Sequence, residues 1–309
     1  MNKKFKFAID RGGTFTDVFA ITPSNKIITY KLLSKNPLIY DDAPTYAIKK
    51  IIAEENISVD SSSNNINQID TELIEWVRMG TTVATNALLE SKGERFCLLI
   101  TKGFKDLLYI GNQSRPNLFD LSCQMPNVLY EHVIEVEERC VPTDDNNIKI
   151  LKELDLNKLE QDLTAMINEK SIQNIAVLLM HSYFYNDHEL KIESLAKKLG
   201  LKSVSLSHKI SPMIRAVPRG LTTCIDAYLT PCLKEYLESF RKSFNGDINV
   251  LFMQSDGGLT SYSNFTGCRA ILSGPAGGVV GYALTSYDKD LKQPIIGFDM
   301  GGTSTDVSR

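Results

Sequence analysis

The chain carries one phrase twice. Near its start it reads Phe7-Ala8-Ile9-Asp10-Arg11-Gly12-Gly13-Thr14-Phe15-Thr16-Asp17-Val18, and near its end Ile296-Gly297-Phe298-Asp299-Met300-Gly301-Gly302-Thr303-Ser304-Thr305-Asp306-Val307. Asp, Gly, Gly, Thr, Thr, Asp and Val coincide in order at a constant interval. Each copy is an apolar run ending in Asp, then a glycine pair, then a run of hydroxyl residues. That is a strand, a tight turn and a second strand. Two such turns facing one another make a two-jawed phosphate clamp.

Phosphate recognition needs backbone N–H groups aimed at oxygen, and glycine permits the close approach. Gly12, Gly13 and Thr14 supply this in the first copy, and Gly301, Gly302 and Thr303 in the second; Thr14 and Thr16 add hydroxyls. A lone carboxylate repels phosphate but can hold a hydrated Mg²⁺ that phosphates also bind, the role Asp10 and Asp299 fit. One Asp-x-Gly-Gly-Thr is explained as readily by a turn that needs two glycines. Two copies in register are much harder to explain that way.

The remaining sequence limits the setting. With 309 residues the chain is long enough for one large or two ordinary domains. Its 43% hydrophobic and 23% charged residues are ordinary for a globular protein, and a net charge of −3 gives no argument for nucleic acid or an anionic membrane as partner. No apolar run reaches the ~20 residues of a membrane span. Met1-Asn2-Lys3-Lys4 leads straight into strand-like sequence without a signal-peptide core, so the cytosol is the expected location. Cys97, Cys123, Cys140, Cys224, Cys232 and Cys268 form no C-x-x-C pair, which reads as buried reduced thiols. His181 and His188 are separated by the turn residues Asn186 and Asp187, an unpromising metal pair.

Residues 5–10, 16–22 and 26–33 predict an antiparallel meander. Asp42-Ala43-Pro44 predicts a capped helix start, and residues 61–67 a solvated loop. From Arg95 onward strands and helices alternate. Strands are expected at 96–101, 133–138, 175–180, 204–206, 248–253 and 294–299. Helices are expected around Leu156–Ile167, after a cap at Asp187, over 218–244 with an interruption at Pro231, and over 275–286. The class is α/β with mixed sheets.

Other motifs admit two readings each. Gly80-Thr81-Thr82 with Thr85-Asn86 could line a substrate cleft, or Thr81 or Thr82 could simply cap a helix. Ser273-Gly274-Pro275-Ala276-Gly277-Gly278 could present helix N–H groups to an anion, or allow close helix packing. Asp256, before Gly257-Gly258, could be a catalytic carboxylate or part of a hairpin turn. Arg215 and Arg219 could neutralise a phosphate or a substrate carboxylate, or be solvated surface charges. Arg11 stands beside the expected phosphates, but Met300 holds the matching place in the second copy.

Duplicated Asp-Gly-Gly hairpins, each opening an α/β lobe, resemble the actin, sugar-kinase and heat-shock-chaperone ATPases, whose lobes are ribonuclease H-like. The flanking sequence narrows this. Residues 8–18 (AIDRGGTFTDV), 78–90 (RMGTTVATNALLE), 102–107 (KGFKDL), 217–231 (VPRGLTTCIDAYLTP), 254–259 (QSDGGL), 273–281 (SGPAGGVVG) and 298–306 (FDMGGTSTD) resemble the hydantoinase/oxoprolinase family. Met79, where hydantoinase and acetone-carboxylase relatives usually carry His, looks most like the eukaryotic 5-oxoprolinase branch. So do Lys31-Leu32-Leu33-Ser34, Asp42-Ala43-Pro44-Thr45 and Asn117-Leu118-Phe119-Asp120-Leu121.

The resemblance implies ATP and Mg²⁺ as cofactors and 5-oxo-L-proline, a lactam, as substrate, opened to L-glutamate in the glutathione (γ-glutamyl) cycle. It implies a first ATPase lobe over residues 5–215, a connecting α/β segment over 216–293, and the start of a second lobe over 294–309. Asp10, Asp299 and Asp256 are the expected catalytic residues, with Mg²⁺ held through water by Asp10 and Asp299. Gly12, Gly13, Thr14, Thr16, Gly301, Gly302 and Thr303 are expected at the phosphates, and Thr81, Thr82, Asn86 and Arg219 at the substrate. A homodimer or a hydantoinase B-like region is the implied partner. Family members continue into a complete second lobe, so an unpaired, frayed last strand and no turnover by this chain alone are expected. A hydantoinase or acetone-carboxylase relative, and a non-catalytic partner of a longer paralogue, are the other two readings.

Overall fold

The computed structural model describes residues 4–55, 68–112, 114, 117, 119–123, 127–302 and 304–309. The loop expected over 61–67 and Thr303 lie outside these residues. The described chain divides into two compact units, one of residues 1–92 and 232–309, the other of 93–231. The first unit is discontinuous in sequence, with the second inserted between its two parts, whereas the family-based division at 215 and 293 is linear.

In chain order the elements begin with β1 (Phe5–Arg11), β2 (Phe15–Ile21), β3 (Ile27–Leu33), α1 (Ala43–Glu54), β4 (Ile74–Thr81) and α2 (Val83–Leu89). There follow β5 (Cys97–Thr101), α3 (Leu107–Ile110), β6 (His132–Val136), β7 (Arg139–Pro142), β8 (Ile148–Lys152), α4 (Leu156–Lys170), β9 (Asn174–Leu178), α5 (Asp187–Lys198), β10 (Ser203–Leu206) and α6 (Ser207–Ile210). The last are α7 (Ala216–Lys242), β11 (Val250–Met253), β12 (Leu259–Ser261), α8 (Gly267–Ala270), α9 (Ser273–Thr285), β13 (Gly297–Met300) and β14 (Thr305–Ser308).

The first unit is built on a six-stranded sheet in the order β12-β11-β4-β1-β2-β3. The meander β1-β2-β3 is antiparallel, as its short connections require, while β4 joins β1 and β11 joins β4 in parallel. Alternation sends Phe5, Phe7 and Ile9 of β1, with Val18 and Ala20 of β2, to a buried face. Helix α1 packs on β1, β2 and β3 and buries Ala43, Ala47, Ile48, Ile51 and Ile52. Its start matches the sequence: the Thr45 N–H donates to Asp42 Oδ2 (3.0 Å) and a proline occupies the first turn. Helix α9 packs on β4 and β11. The strand pattern leaves β4 unassigned, although this strand is central; a polar Glu75 and Arg78 interrupt its apolar run.

The second unit holds a parallel sheet, β10-β9-β5-β6. Strands β5 and β9 are buried at every position because helices cover both faces. On one side Leu99, Ile175 and Val177 meet Leu159, Leu163 and Met166 of α4 and Ile192 of α5. On the other, Leu98, Ile100 and Leu178 meet Leu108 of α3 and Cys224 and Ala227 of α7. A two-stranded ribbon, β7-β8, completes the unit.

Three local expectations are corrected. Asp187 does not cap α5: the cap is Asn186, without a side-chain bond, and Asp187 lies in the first turn, where its charge suits the helix dipole. Helix α7 runs through Pro231 without interruption, giving up one intrahelical bond there, and the unit boundary falls at this proline. The last strand is not unpaired, because β14 pairs with β13 over Gly297↔Ser308 to Met300↔Thr305. Among the described residues no helix is long and apolar enough to cross a membrane.

Candidate functional site

The two copies of the repeat form the same hairpin. In the first, Asp10 pairs with Asp17 and the Gly12 N–H donates to the Phe15 carbonyl (2.9 Å). In the second, Asp299 pairs with Asp306 and the Gly301 N–H donates to the Ser304 carbonyl (3.0 Å). Glycine is needed at position 12, since a Cβ there would sit 2.8 Å from the Phe15 carbonyl oxygen. The turns also touch: a Cβ on Gly302 would come 2.6 Å from Thr14 Oγ1. The second hairpin is therefore formed, contrary to the expectation of an unpaired, frayed end, because hairpin pairing needs only the local chain.

Register then lays a row of polar groups across the sheet. Gly80 of β4 pairs with Asp10 of β1, Asp10 with Asp17 of β2, and Asp17 with Lys31 of β3. All lie on the face opposite Ile9 and Val18, since neighbouring partners share a face. Lys31 Nζ reaches both oxygens of Asp17, at 2.7 and 2.8 Å. Gly80 makes room for the row, because a Cβ there would lie 2.9 Å from Asp10 Oδ1.

A cavity of about 560 Å³ opens over this row. Asp10, Asp17, Arg78, Gly80, Asp299 and the α9 glycines Gly274, Gly277 and Gly278 are among its walls. Asp10 is exposed to the cavity, but the protein packed around its carboxylate strips away part of its hydration. This loss of solvation raises its pKa; the charges of Asp17 and Asp299 push it further up, and Lys31 opposes them. Three carboxylates facing one cavity with one lysine partly neutralising them suit a divalent cation. The glycine walls leave backbone and space for phosphate. The residues present therefore fit Mg²⁺ and a nucleotide phosphate group.

Other expected residues fall elsewhere. Thr16 is fully buried and its hydroxyl shares a hydrogen bond with Ser34 Oγ (2.9 Å). Ser34 also donates from Oγ to the Gly12 carbonyl (2.7 Å) and from its N–H to the Thr14 carbonyl (2.8 Å). Thr16 is thus a brace behind the turn rather than a phosphate donor. Thr82 joins the turn through its N–H, which donates to the Arg11 carbonyl (3.1 Å), and Asn86 Nδ2 donates to Thr82 Oγ1 (3.1 Å). Thr81 is buried and its Oγ1 accepts from the Val83 N–H (3.3 Å), while Ser273 Oγ donates to its carbonyl (2.8 Å).

Asp256 is exposed, and its Oδ1 accepts the Gly258 N–H (2.8 Å) in the β11-β12 turn, where Gly257 has φ 81°. The turn explains it. Arg11 points to the other face, its guanidinium 4.7 Å from the Tyr236 ring centroid and 4.0 Å from Asp42 Oδ1. Arg219 lies in the second unit, fully buried, donating from Nη1 to the Met213 carbonyl (2.6 Å) and from Nη2 to the Leu179 carbonyl (2.9 Å). Neither its substrate role nor a solvated surface role survives that burial. Sequence reasoning missed Asp17 and Lys31 as site residues, though the repeated Asp17/Asp306 was a signal for the first.

Comparison with known proteins gives the lineage. Residues 6–200 match the model of the hydantoinase/oxoprolinase N-terminal region, and 219–309 that of hydantoinase/oxoprolinase. 5-Oxoprolinase 1 of Arabidopsis thaliana is 52% identical over 99% of this chain and 25% of its own length. The 5-oxoprolinase of Dictyostelium discoideum is 46% identical over 100% of this chain and 27% of its own. The chain thus spans about a quarter of the length of these relatives. Among solved structures, nucleotide-free acetone carboxylase has a TM-score of 0.75 at 21% identity, and the ATP-dependent caprolactamase of Pseudomonas jessenii 0.72 at 25%. Each covers 98% of this chain and 43% of the neighbour, and the likeness to acetone carboxylase is one of fold alone. With its two family models, its twin hairpins and this α/β fold of mixed sheets, the chain belongs to the hydantoinase/oxoprolinase family.

Proposed function

We propose that this chain supplies the phosphate- and Mg²⁺-binding part of an ATP-dependent enzyme that opens 5-oxo-L-proline to L-glutamate in the cytosol. The observation that carries the reading is the convergence of Asp10, Asp17 and Asp299 on one glycine-walled cavity. The 5-oxoprolinase name of relatives at 46–52% identity supplies the substrate class. The sheet order β3-β2-β1-β4-β11 supports a first lobe of the actin and sugar-kinase type, with β13-β14 as the opening hairpin of a second lobe. On this reading residues 5–215 and 216–293 divide the family's N-terminal domain from a connecting segment, and 294–309 begin the next domain. A hydantoinase B-like region, or a second copy, is the partner.

A lactam carbonyl resists water, and ATP when bound supplies the phosphoryl group that activates its oxygen. This chain's residues do the positioning. Asp10 and Asp299 would hold Mg²⁺ through water, and the backbone of Gly12–Thr14 and of Gly301 and Gly302 would face the phosphates. Lys31 restrains Asp17, Ser34 and Thr82 fix the first turn, and Gly80 keeps the space over Asp10 open. Thr82 and Asn86, hydrogen-bonded to one another, are the substrate candidates that remain.

The test is titration calorimetry of MgATP against the 309-residue chain and its Asp10→Asn and Asp256→Asn variants. Loss of binding in the first with retention in the second is expected; equal binding by both would defeat the assignment. A chimera with the C-terminal three quarters of the Arabidopsis relative, assayed on 5-oxoproline and on hydantoin, tests the substrate class.

A further inference from the structure

A buried cluster in the second unit has no part in this site. Glu138 lies between β6 and β7, Cys140 in β7 and His188 in the first turn of α5, and all three are buried. Their ligand atoms fall within 4.8 Å of one another. His188 Nδ1 is 2.9 Å from Glu138 Oε2 and 3.6 Å from Cys140 Sγ, and Sγ is 3.8 Å from the same Oε2. Tetrahedral zinc with bonds of about 2.0 Å to N and O and about 2.3 Å to S sets its donor atoms roughly 3.3–3.5 Å apart. The observed triangle needs shifts of less than about 0.5 Å to match.

We propose that Glu138, Cys140 and His188 form a binding site for a divalent transition-metal ion, zinc foremost. The donor set argues for this class: thiolate, imidazole and a single carboxylate favour borderline-soft ions over Mg²⁺ or Ca²⁺. Cysteine gives up its thiol proton on binding, and the thiolate and carboxylate then balance the ion's two charges within a buried site.

The surroundings have the form of an outer ligand shell. The Thr101 hydroxyl donates to Glu138 Oε1 and itself accepts the Met180 N–H (2.9 Å), fixing the carboxylate. His188 Nε2 is buried without a hydrogen-bond partner, and Glu153 Oε2 lies 3.8 Å from it. A metal on Nδ1 puts the ring proton on Nε2, where Glu153, 73% exposed at its side chain, is the available acceptor. Without an ion, Nδ1–H donates to Glu138 and Nε2 stays buried and unmatched. The ion would fasten the β7-β8 ribbon to α5 and leave a fourth position for water. Sequence spacing concealed the set, since Cys140 and His188 are 48 residues apart.

The experiment is Co²⁺ titration of the chelator-treated 309-residue chain, read by absorption. One equivalent should give a thiolate-to-cobalt charge-transfer band and the intense visible bands of a tetrahedral ion, and Zn²⁺ should remove both. Cys140→Ser should lose the charge-transfer band. Glu153→Gln should keep it but bind about tenfold more weakly or worse. Cys123→Ser should match the parent, and Glu135→Gln, a carboxylate variant outside both the cluster and the carboxylate cavity, should keep the charge-transfer band. No band at one equivalent, or a band that persists in Cys140→Ser, overturns the proposal. Should a variant fail to fold, mass-spectrometric alkylation of the parent chain decides: Zn²⁺ must protect Cys140, and equal alkylation with and without Zn²⁺ refutes the site.

Discussion

The hairpins β1-β2 and β13-β14 share residues, register and closing hydrogen bond, and differ in everything around them. The first sits in mid-sheet, with β4 on one side, β3 on the other and Ser34 bracing its turn. The second forms a sheet of two, with Phe298, Met300 and Val307 each more than half exposed. The repeat therefore encodes the turn and the placement of an aspartate, whereas rigidity comes from neighbours outside the repeat. Equivalent substitutions should act alike on chemistry and unequally on stability.

The largest expected effect is on chemistry. In the chimera, Asp10→Asn and Asp299→Asn should each lower kcat by about 10²–10³-fold, the usual scale for removing a preorganised charge from a transition state. Steady-state assays check it; a normal kcat in either variant would leave that jaw without a catalytic part.

Glycine substitution comes next. Gly12→Ala drives a Cβ into the Phe15 carbonyl at 2.8 Å and should destabilise the chain by about 1–3 kcal/mol. At Gly301 the nearest atom would lie 3.5 Å away, so Gly301→Ala should cost less than about 1 kcal/mol. Urea unfolding of both variants measures the difference.

A smaller contrast separates the paired threonines. Thr16→Val leaves Ser34 short of a buried partner and should cost about 1–2 kcal/mol. Thr305 is exposed, and Thr305→Val should stay within about 0.5 kcal/mol.

The smallest effect is pH-dependent. Asp10 has a native pKa above its ordinary 3.8, so ionising it disfavours the folded state. That penalty is absent below pH 3.8, grows as pH rises to the native pKa, and is constant above it. Asp10→Asn should therefore raise the Tm at pH 7, with the gain vanishing near pH 3. Mg²⁺ should narrow the gap at pH 7 by stabilising the parent more. Scanning fluorimetry across pH, with and without Mg²⁺, reads both.

The parts legible in the sequence were those written locally. Alternation gave the meander, the Asp42–Pro44 cap gave α1, and continuous apolar runs gave the buried parallel strands of the second unit. What stayed hidden depended on partners distant in sequence. Thr16 reads as an exposed hydroxyl until Ser34, eighteen residues on, is seen to cover it. Arg219 reads as a surface charge until carbonyls at 179 and 213 surround it. Lys31 joined the site only through strand register. Pro231 reads as a break, yet the helix around it is held by packing at Leu229 and Leu233, both fully buried.

One consequence follows from the neighbours of β4. Its partner β1 is made early, but β11, on its other side, begins only at Val250. At the pace of translation that interval lasts roughly 10–30 s. Throughout it, the nascent chain presents an open edge lined by Val77 and Met79, the kind of surface on which ribosome-bound chains aggregate. Synthesis order thus sets a period of vulnerability that the finished molecule no longer shows. Slowing elongation between codons 93 and 231 should lengthen that period, and helpers that shield growing chains should matter most there.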